Sequence, residues 1–264
     1  TNFALNVSLN LDEETSKDIL ADLTVPYLTY GIRMNSDLYA RDIEITENGI
    51  HFLIQLRNIE TIEVSMQMTG MFNVYNALAA ASVAMIFGVD ISAIRDGLHN
   101  VKSVPGRIEL LDLPLPFKVI LDYSHSPDAL ENILTTVRTF TKNRLIVLFG
   151  CGGDRDQGKR PIMGEIGGRL ADFSILTSDN PRTEDPDVIL EAIEEGMKPT
   201  SGKYIVIENR REAIRYALDM AQEGDIVILA GKGHETYQDI MGVKRPFDEK
   251  VVVKELIDEK QRKA

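Results

Sequence analysis

From residue 118 onward, short apolar runs alternate with amphipathic stretches, and this alternation limits the possible folds more than any other feature of the chain. The spacing predicts strands at Lys118 to Asp122, Arg144 to Phe149, Phe173 to Thr177, Tyr204 to Ile207 and Asp225 to Ala230. Between and after them it predicts helices at Pro127 to Phe140, Pro161 to Leu170, Pro186 to Glu195, Arg210 to Ala221 and Glu249 to Lys260. Apolar strands separated by amphipathic helices imply α/β class, a doubly wound and mostly parallel sheet covered on both faces. Ligands of such sheets sit beyond the carboxyl ends of the strands.

The first hundred residues read differently. Strand-like runs occur at Ala4 to Leu9, Pro26 to Tyr30, Leu38 to Thr46, His51 to Leu56 and Thr61 to Ser65, with Glu47-Asn48-Gly49 as a hairpin-type turn. Helices are expected at Glu13 to Asp22, Phe72 to Phe87 and Ile91 to His99, the second ending at Gly88, and the apolar residues from Val74 to Phe87 are expected in the core. The Pro-Gly break within Asn100 to Gly106 places a boundary there, giving domains 1–104 and 105–264. A strand so near the first residue suggests a chain cut from something longer.

With 44% hydrophobic and 27% charged residues the chain is a globular protein rather than a disordered, collagenous or membrane one. A net charge of -12 opposes nucleic acid and anionic membrane surfaces, so an anionic ligand must be held by local groups. The single cysteine, Cys151, can form no internal disulfide and has no zinc-spaced partners, which fits a reducing cytoplasm. Neither a signal peptide nor an apolar run long enough to span a bilayer is recognisable.

The predicted strand ends carry the chemistry. After the first comes DYSHSPDAL, where Ser126 can cap a helix and Pro127 occupies its first turn. The second is followed by FGCGGDRDQGKRP, with Arg155, Lys159 and Arg160 among glycines. Gly153 to Lys159 fits GxxxxGK, but Arg160 stands where a phosphate loop needs Ser or Thr, so that reading is rejected. After the third comes SDNPRTEDP, in which Arg182 offers a bidentate fork for a carboxylate beside Asp179 and Asn180. The fifth ends in AGKGHETYQ. Two guanidinium groups and a carboxylate at one edge suit a ligand with opposed charges. His51 and His99 are isolated and read as ordinary structural histidines, and the acidic residues of the last helix as its solvated face.

The ordered set FNVYN, VPGRIE, DYSHSPDAL, FGCGGDRDQGKRP, DNPR and GKGHE resembles the Mur ligases, and among them those that add meso-diaminopimelate, over nearly the whole chain from about Asn10. The resemblance implies the last part of an α/β central ATP-binding domain followed by a Rossmann-like domain for the incoming amino acid. It implies an ATP-dependent, cytoplasmic ligase of peptidoglycan precursor synthesis, serving cell wall biogenesis, shape and division. Such an enzyme joins meso-diaminopimelate to UDP-N-acetylmuramoyl-L-alanyl-D-glutamate through an acyl phosphate, with ATP and Mg²⁺. The family's phosphate loop, Mg²⁺ ligands and modified lysine lie outside this chain, which alone is not expected to hydrolyse ATP.

By the same resemblance Asn73 and Asn76 approach adenine, Arg107, Asp122 and His125 contact ribose or phosphates, and Lys159 serves the phosphate end. A structural role as a buried asparagine stays open for Asn76. Asp179, Asn180, Pro181 and Arg182 match the diaminopimelate motif, completed by Arg155, Gly231 and Glu235. The implied partners are small molecules (meso-diaminopimelate, ATP and the UDP-sugar dipeptide), with no nucleic acid or membrane, and the implied state is a monomer.

Three other readings compete. A lysine-adding ligase normally lacks Arg at the position of Arg182. A non-catalytic amino-acid-binding module would keep recognition without chemistry. An oxidoreductase using a dinucleotide is suggested by the fold class alone, since no GxGxxG follows Asp122.

Overall fold

The structure is a computed structural model that describes residues 6–263 except 34, 47, 58 and 103. It divides into two compact units, Thr1–Ser103 and Val104–Ala264.

In the first unit, β1 (Val7–Asn10), β2 (Tyr27–Gly31), β3 (Leu38–Thr46), β4 (Gly49–Leu56) and β5 (Glu60–Met66) form one sheet in chain order. The first three strands run parallel and the last three antiparallel, with Thr46 opposite Gly49 at the β3–β4 turn. The strand expected at Ala4 to Leu9 is described from Val7, as β1, and Ala4, Leu5 and Glu47 lie outside the described residues. Helices α1 (Thr15–Asp22), α2 (Met71–Ile86) and α3 (Ile91–Asn100) complete the unit. Leu38, Phe52, Ile54, Val64, Val74 and Leu78 fill its core. The core expectation fails at the end of α2, where Val83 and Phe87 are exposed, Phe87 by 79%. An apolar spacing marks which residues share a helix face but not where the layer beneath ends.

The second unit holds a six-stranded sheet in the order β10-β9-β8-β11-β7-β6. Its strands are β6 (Glu109–Leu110), β7 (Lys118–Asp122), β8 (Leu145–Phe149), β9 (Phe173–Leu176), β10 (Tyr204–Val206) and β11 (Ile226–Ala230). All pair in parallel except β6, an antiparallel edge too short to leave a sequence signal. Side chains alternate strictly: Leu145, Val147 and Phe149 of β8 enter one core, while Ile146 and Leu148 enter the other. The first core is closed by α4 (Pro127–Arg138), α5 (Lys159–Leu170) and α6 (Pro186–Met197). On the opposite face lie α7 (Arg210–Met220) and α8 (Glu249–Lys263).

Local chemistry sets the helix starts. Ser126 caps α4, accepting from Ala129 N at 3.4 Å with Pro127 in the first turn, and Asn209 caps α7 by accepting from Arg211 N and Glu212 N. Helix α5 begins two residues earlier than Pro161, because Asp156 Oδ1 accepts from Gly158 N at 2.9 Å and turns the chain into the helix at Lys159. One further element has no counterpart in the sequence reading, the two-stranded hairpin β12 (Tyr237–Ile240) and β13 (Val243–Pro246). Among the described residues no helix is long and apolar enough to cross a membrane.

Candidate functional site at the carboxyl edge of the second sheet

The loops after β8, β9 and β11 are bonded into one wall. Gly153 N donates to Asn180 O at 2.9 Å, and a Cβ at Gly153 would overlap the Pro181 carbonyl, so only glycine allows the β8 and β9 loops to touch. Asp154 accepts from Thr183 through its backbone N and Oγ1, and these bonds hold its carboxyl below the usual range. Glu184 takes both oxygens to Arg160 Nη2 at 2.9 Å, and Arg160 is buried. The residue that broke the phosphate-loop pattern is therefore a strut between two loops.

The hairpin grips the β9 loop from the other side. Arg182 N donates to Asp239 O at 3.0 Å and Met241 N to Arg182 O at 2.7 Å, a parallel bridge that holds Arg182 at φ +51, a region non-glycine residues rarely occupy. Arg182 Nη1 donates to Gly153 O at 2.6 Å, which orients the guanidinium and leaves the rest of the fork for a ligand.

Glu235 lies half-buried above the β11 loop. Its Oε2 accepts from Asn180 Nδ2 at 2.9 Å and from Lys232 Nζ at 3.0 Å. Burial by itself raises the Glu235 carboxyl, but the Asn180 and Lys232 donors, helped by the Arg182 charge, outweigh it and leave the group below its ordinary value. The amide of Asn180 is spent internally, since its Oδ1 also accepts from Lys232 Nζ and from Asp239 N. Asp179 is buried, with Gln238 Nε2 donating to its carbonyl at 2.8 Å and its carboxylate packed against Gly231, whose φ of +113 excludes a side chain there. Arg155 is exposed and touches only Asp154 O at 3.1 Å among the described contacts.

Below this wall, Arg210 and Glu249 form an ion pair closed to solvent. Glu249 corrects the expectation that the acidic residues of the last helix merely face water: it opens α8 and turns inward, while Glu255 and Glu259 pair with Arg211 and Arg215. Burial raises the Glu249 carboxyl despite its partner.

A second cluster sits at the end of β7. Asp122 is buried and accepts from Ile108 N and Ser124 N at 2.8 Å each, and from Ser124 Oγ. Beside it the Tyr123 ring is flanked by the Arg107 guanidinium at 4.9 Å, the His125 ring at 4.7 Å and the His234 ring at 5.3 Å. Lys159 Nζ donates to His125 O at 2.6 Å, which joins Lys159 to the segment that carries Asp122, Tyr123 and His125. Asn73 and Asn76 lie in the first unit and meet each other there: Asn73 is the buried one, donating to Thr69 O, while Asn76 is exposed and donates to Asn73 Oδ1 at 3.1 Å. His51 and His99, expected to be isolated, both bond Ser65. No cluster of three His, Cys, Asp or Glu residues able to hold a metal ion occurs among the described residues.

The sequence assigns no role to Tyr123 or to the Arg160–Glu184 pair, and marks Lys232 and His234 only as members of the charged set after the fifth strand. Lys232 stood in GKGHE as one more basic residue, and nothing in a single sequence says that its ammonium is fully enclosed.

Doubly wound unit, basic and glycine-rich strand ends and the DNPR wall define a class. The chain belongs to the Mur ligase family: residues 5–84 match the Mur ligase middle domain and residues 106–233 the Mur ligase glutamate ligase domain. Within that family it is 45% identical over 254 residues to the UDP-N-acetylmuramoyl-L-alanyl-D-glutamate--2,6-diaminopimelate ligase of Caldanaerobacter subterraneus, covering 96% of this chain and 52% of that protein. To the ligase of the same name from Geobacillus thermodenitrificans it is 44% identical, over 96% of this chain and 52% of that one. A solved structure of such a ligase superposes with a TM-score of 0.65 at 36% identity, over 97% of this chain and 53% of that one. The fold is shared more widely, as with the alanine ligase MurC of Thermotoga maritima at 18% identity, TM-score 0.70, over 97% of this chain and 52% of that one. The chain spans about half the length of the curated relatives it matches.

Proposed function

We propose that this chain is part of an ATP-dependent ligase of peptidoglycan precursor synthesis that adds meso-diaminopimelate to UDP-N-acetylmuramoyl-L-alanyl-D-glutamate, and that its second unit binds the incoming amino acid. The observation that carries the reading is the pairing, on one bonded wall, of a partly free guanidinium at Arg182 with an anionic carboxylate at Glu235. Diaminopimelate carries an ammonium and a carboxylate at each end of one chain. Arg182, with Arg155 at the rim, suits the carboxylate remote from the reacting amine, and Glu235 suits an ammonium. Asp179, Asn180, Pro181 and Gly231 shape the pocket between them.

Lysine lacks the remote carboxylate, so it would leave Arg182 partly desolvated without a counter-charge, a loss of about 1–3 kcal/mol. Discrimination of this kind comes from an unmet partner rather than from shape. A lysine-adding enzyme has no use for the Arg182 fork and remains the weaker reading.

The cluster around Tyr123 fits a nucleotide. Arg107 and Lys159 supply positive charge for phosphates, Tyr123 and His125 a flat surface, and Asp122 an acceptor for a ribose hydroxyl. ATP, when bound with Mg²⁺, supplies the phosphoryl group that activates the acceptor carboxylate. The residues of this chain orient the amine toward that carboxylate and stabilise charge, which is much of what such transfers require. A cytoplasmic setting and a monomeric state complete the proposal.

Calorimetric titration of the chain with meso-diaminopimelate and, separately, L-lysine tests it. Saturable heat with the first and at least about tenfold weaker binding of the second is expected. Equal or lysine-preferring binding contradicts the specificity.

A further inference from the structure

Beneath the pocket lies a charge that the binding scheme above leaves unused. The Lys232 side chain has 0% exposure, and its ammonium donates to Asn180 Oδ1 at 3.1 Å and to Glu235 Oε2 at 3.0 Å. Asn180 Nδ2 reaches the same Glu235 oxygen at 2.9 Å. Two donors thus converge on Oε2, and none of the described contacts engages Oε1. A carboxylate pinned by one oxygen has its plane fixed and the lone pairs of the other oxygen aimed outward. The enclosure of Lys232 is itself informative, since an ammonium out of water is costly unless its partners are well placed. The charged and titratable groups around this pair are Arg182 and Asp179 from the loop after β9, Arg210 from α7 on Glu249 from α8, and the Tyr237 ring at 5.8 Å from the Lys232 ammonium, with Lys232 and Glu235 on a single loop.

We propose that Lys232 is a positioning residue of the amino-acid site: its ammonium fixes Glu235 by one oxygen, so that Oε1 alone meets the ligand's amino group, and it offsets the negative charge that would otherwise reward a net cationic amino acid. The second half rests on the reading that this edge takes diaminopimelate. That ligand has net charge zero at neutral pH, whereas lysine carries one positive charge in excess. With Lys232 present, Glu235, Asp179 and Glu249 are balanced by Lys232, Arg182 and Arg210. Without it the wall gains one negative charge and should hold lysine better.

Two readouts separate the proposal from the functional reading. The first needs no ligand: carbon-13 NMR titration of the Glu235 carboxyl in wild type, Lys232→Met and Lys232→Arg. Wild type should titrate below the ordinary value of about 4.3, Lys232→Met about one unit or more higher, and Lys232→Arg close to wild type. A purely structural role for Lys232 moves melting temperature but not this carboxyl, so an unmoved Glu235 in folded Lys232→Met overturns the proposal. If Lys232→Met does not fold, wild type alone decides, because a Glu235 that titrates at or above about 4.3 also overturns it. The second readout is the ratio of diaminopimelate to lysine affinity, expected to fall about tenfold or more in Lys232→Met. An unchanged ratio overturns the selectivity half. Wild-type chain that shows the low Glu235 titration yet binds neither amino acid contradicts the functional reading, and the selectivity half with it, while the pinning of Glu235 stands.

Discussion

Arg210 donates to Glu249 at 2.8 Å where neither side chain meets solvent, and the same guanidinium reaches the carbonyls of Ser178 at 3.3 Å and Ala230 at 2.8 Å. Those carbonyls belong to the start of the β9 loop and the end of β11, the two segments that carry Arg182 and Glu235. One buried pair therefore ties these two loops together from below, as Lys232 and Asn180 do from within.

Removing one member of that pair leaves a charge without a partner. Arg210→Met is expected to destabilise the second unit by about 3–5 kcal/mol, read as a lower midpoint in urea unfolding. A loss under about 1 kcal/mol would mean that the pair carries little of the loop spacing.

Arg182→Ala should weaken meso-diaminopimelate binding by more than about tenfold in calorimetry while strengthening lysine binding, because the guanidinium that lysine leaves unmet is gone. Unfolding midpoints should fall by the loss of one hydrogen bond, about 0.5–1.5 kcal/mol, because the side chain bonds Gly153 O while the backbone bonds to Asp239 and Met241 remain.

Gly231→Ala places a Cβ against the Asp179 carboxylate at a φ that alanine avoids. The expected result is a cost of about 1–3 kcal/mol in stability together with weaker diaminopimelate binding, measured by urea melts and calorimetry.

The pair Arg144–Asp225 should make stability depend on pH. Burial by itself raises the Asp225 carboxyl, but hydrogen bonds from Arg144 and from Gln222 N more than reverse this and hold it below its ordinary value. Because the folded value is depressed, the stabilisation is fully present above the unfolded value of about 3.9 and is lost as pH falls through the lower folded value. Asp225→Asn should therefore cost about 1.5–3 kcal/mol at pH 7, and the difference from wild type should shrink in melts carried toward pH 3.

Phe87→Ser should change stability by no more than about 0.5 kcal/mol, since the ring is almost wholly in solvent.

The central strands were legible because each is apolar throughout and ends in a turn signal: β7 runs from Lys118 to Asp122 as its composition dictates. What escaped the sequence was decided by distant partners. Strand β6 has two residues and exists only against β7, and the β12–β13 hairpin gains its place by clasping Arg182, a contact no local propensity encodes. The same holds for charge. Glu249 looks like any helix-face glutamate until Arg210 lies opposite, and Lys232 looks exposed until Asn180 and Glu235 enclose it. At the candidate site the residue types and their edge could be read from sequence, whereas their division between ligand-facing and loop-bracing atoms could not. Asn180 is the plainest case, with both ends of its amide bound inside the wall.

The most direct test is a crystal structure of the chain with meso-diaminopimelate. The account predicts the remote carboxylate on the Arg182 guanidinium and an ammonium on Glu235 Oε1, each at about 3 Å, with Lys232 still on Oε2. A ligand seated elsewhere, or one whose remote carboxylate points into solvent while Arg182 holds only the Gly153 carbonyl, would contradict it.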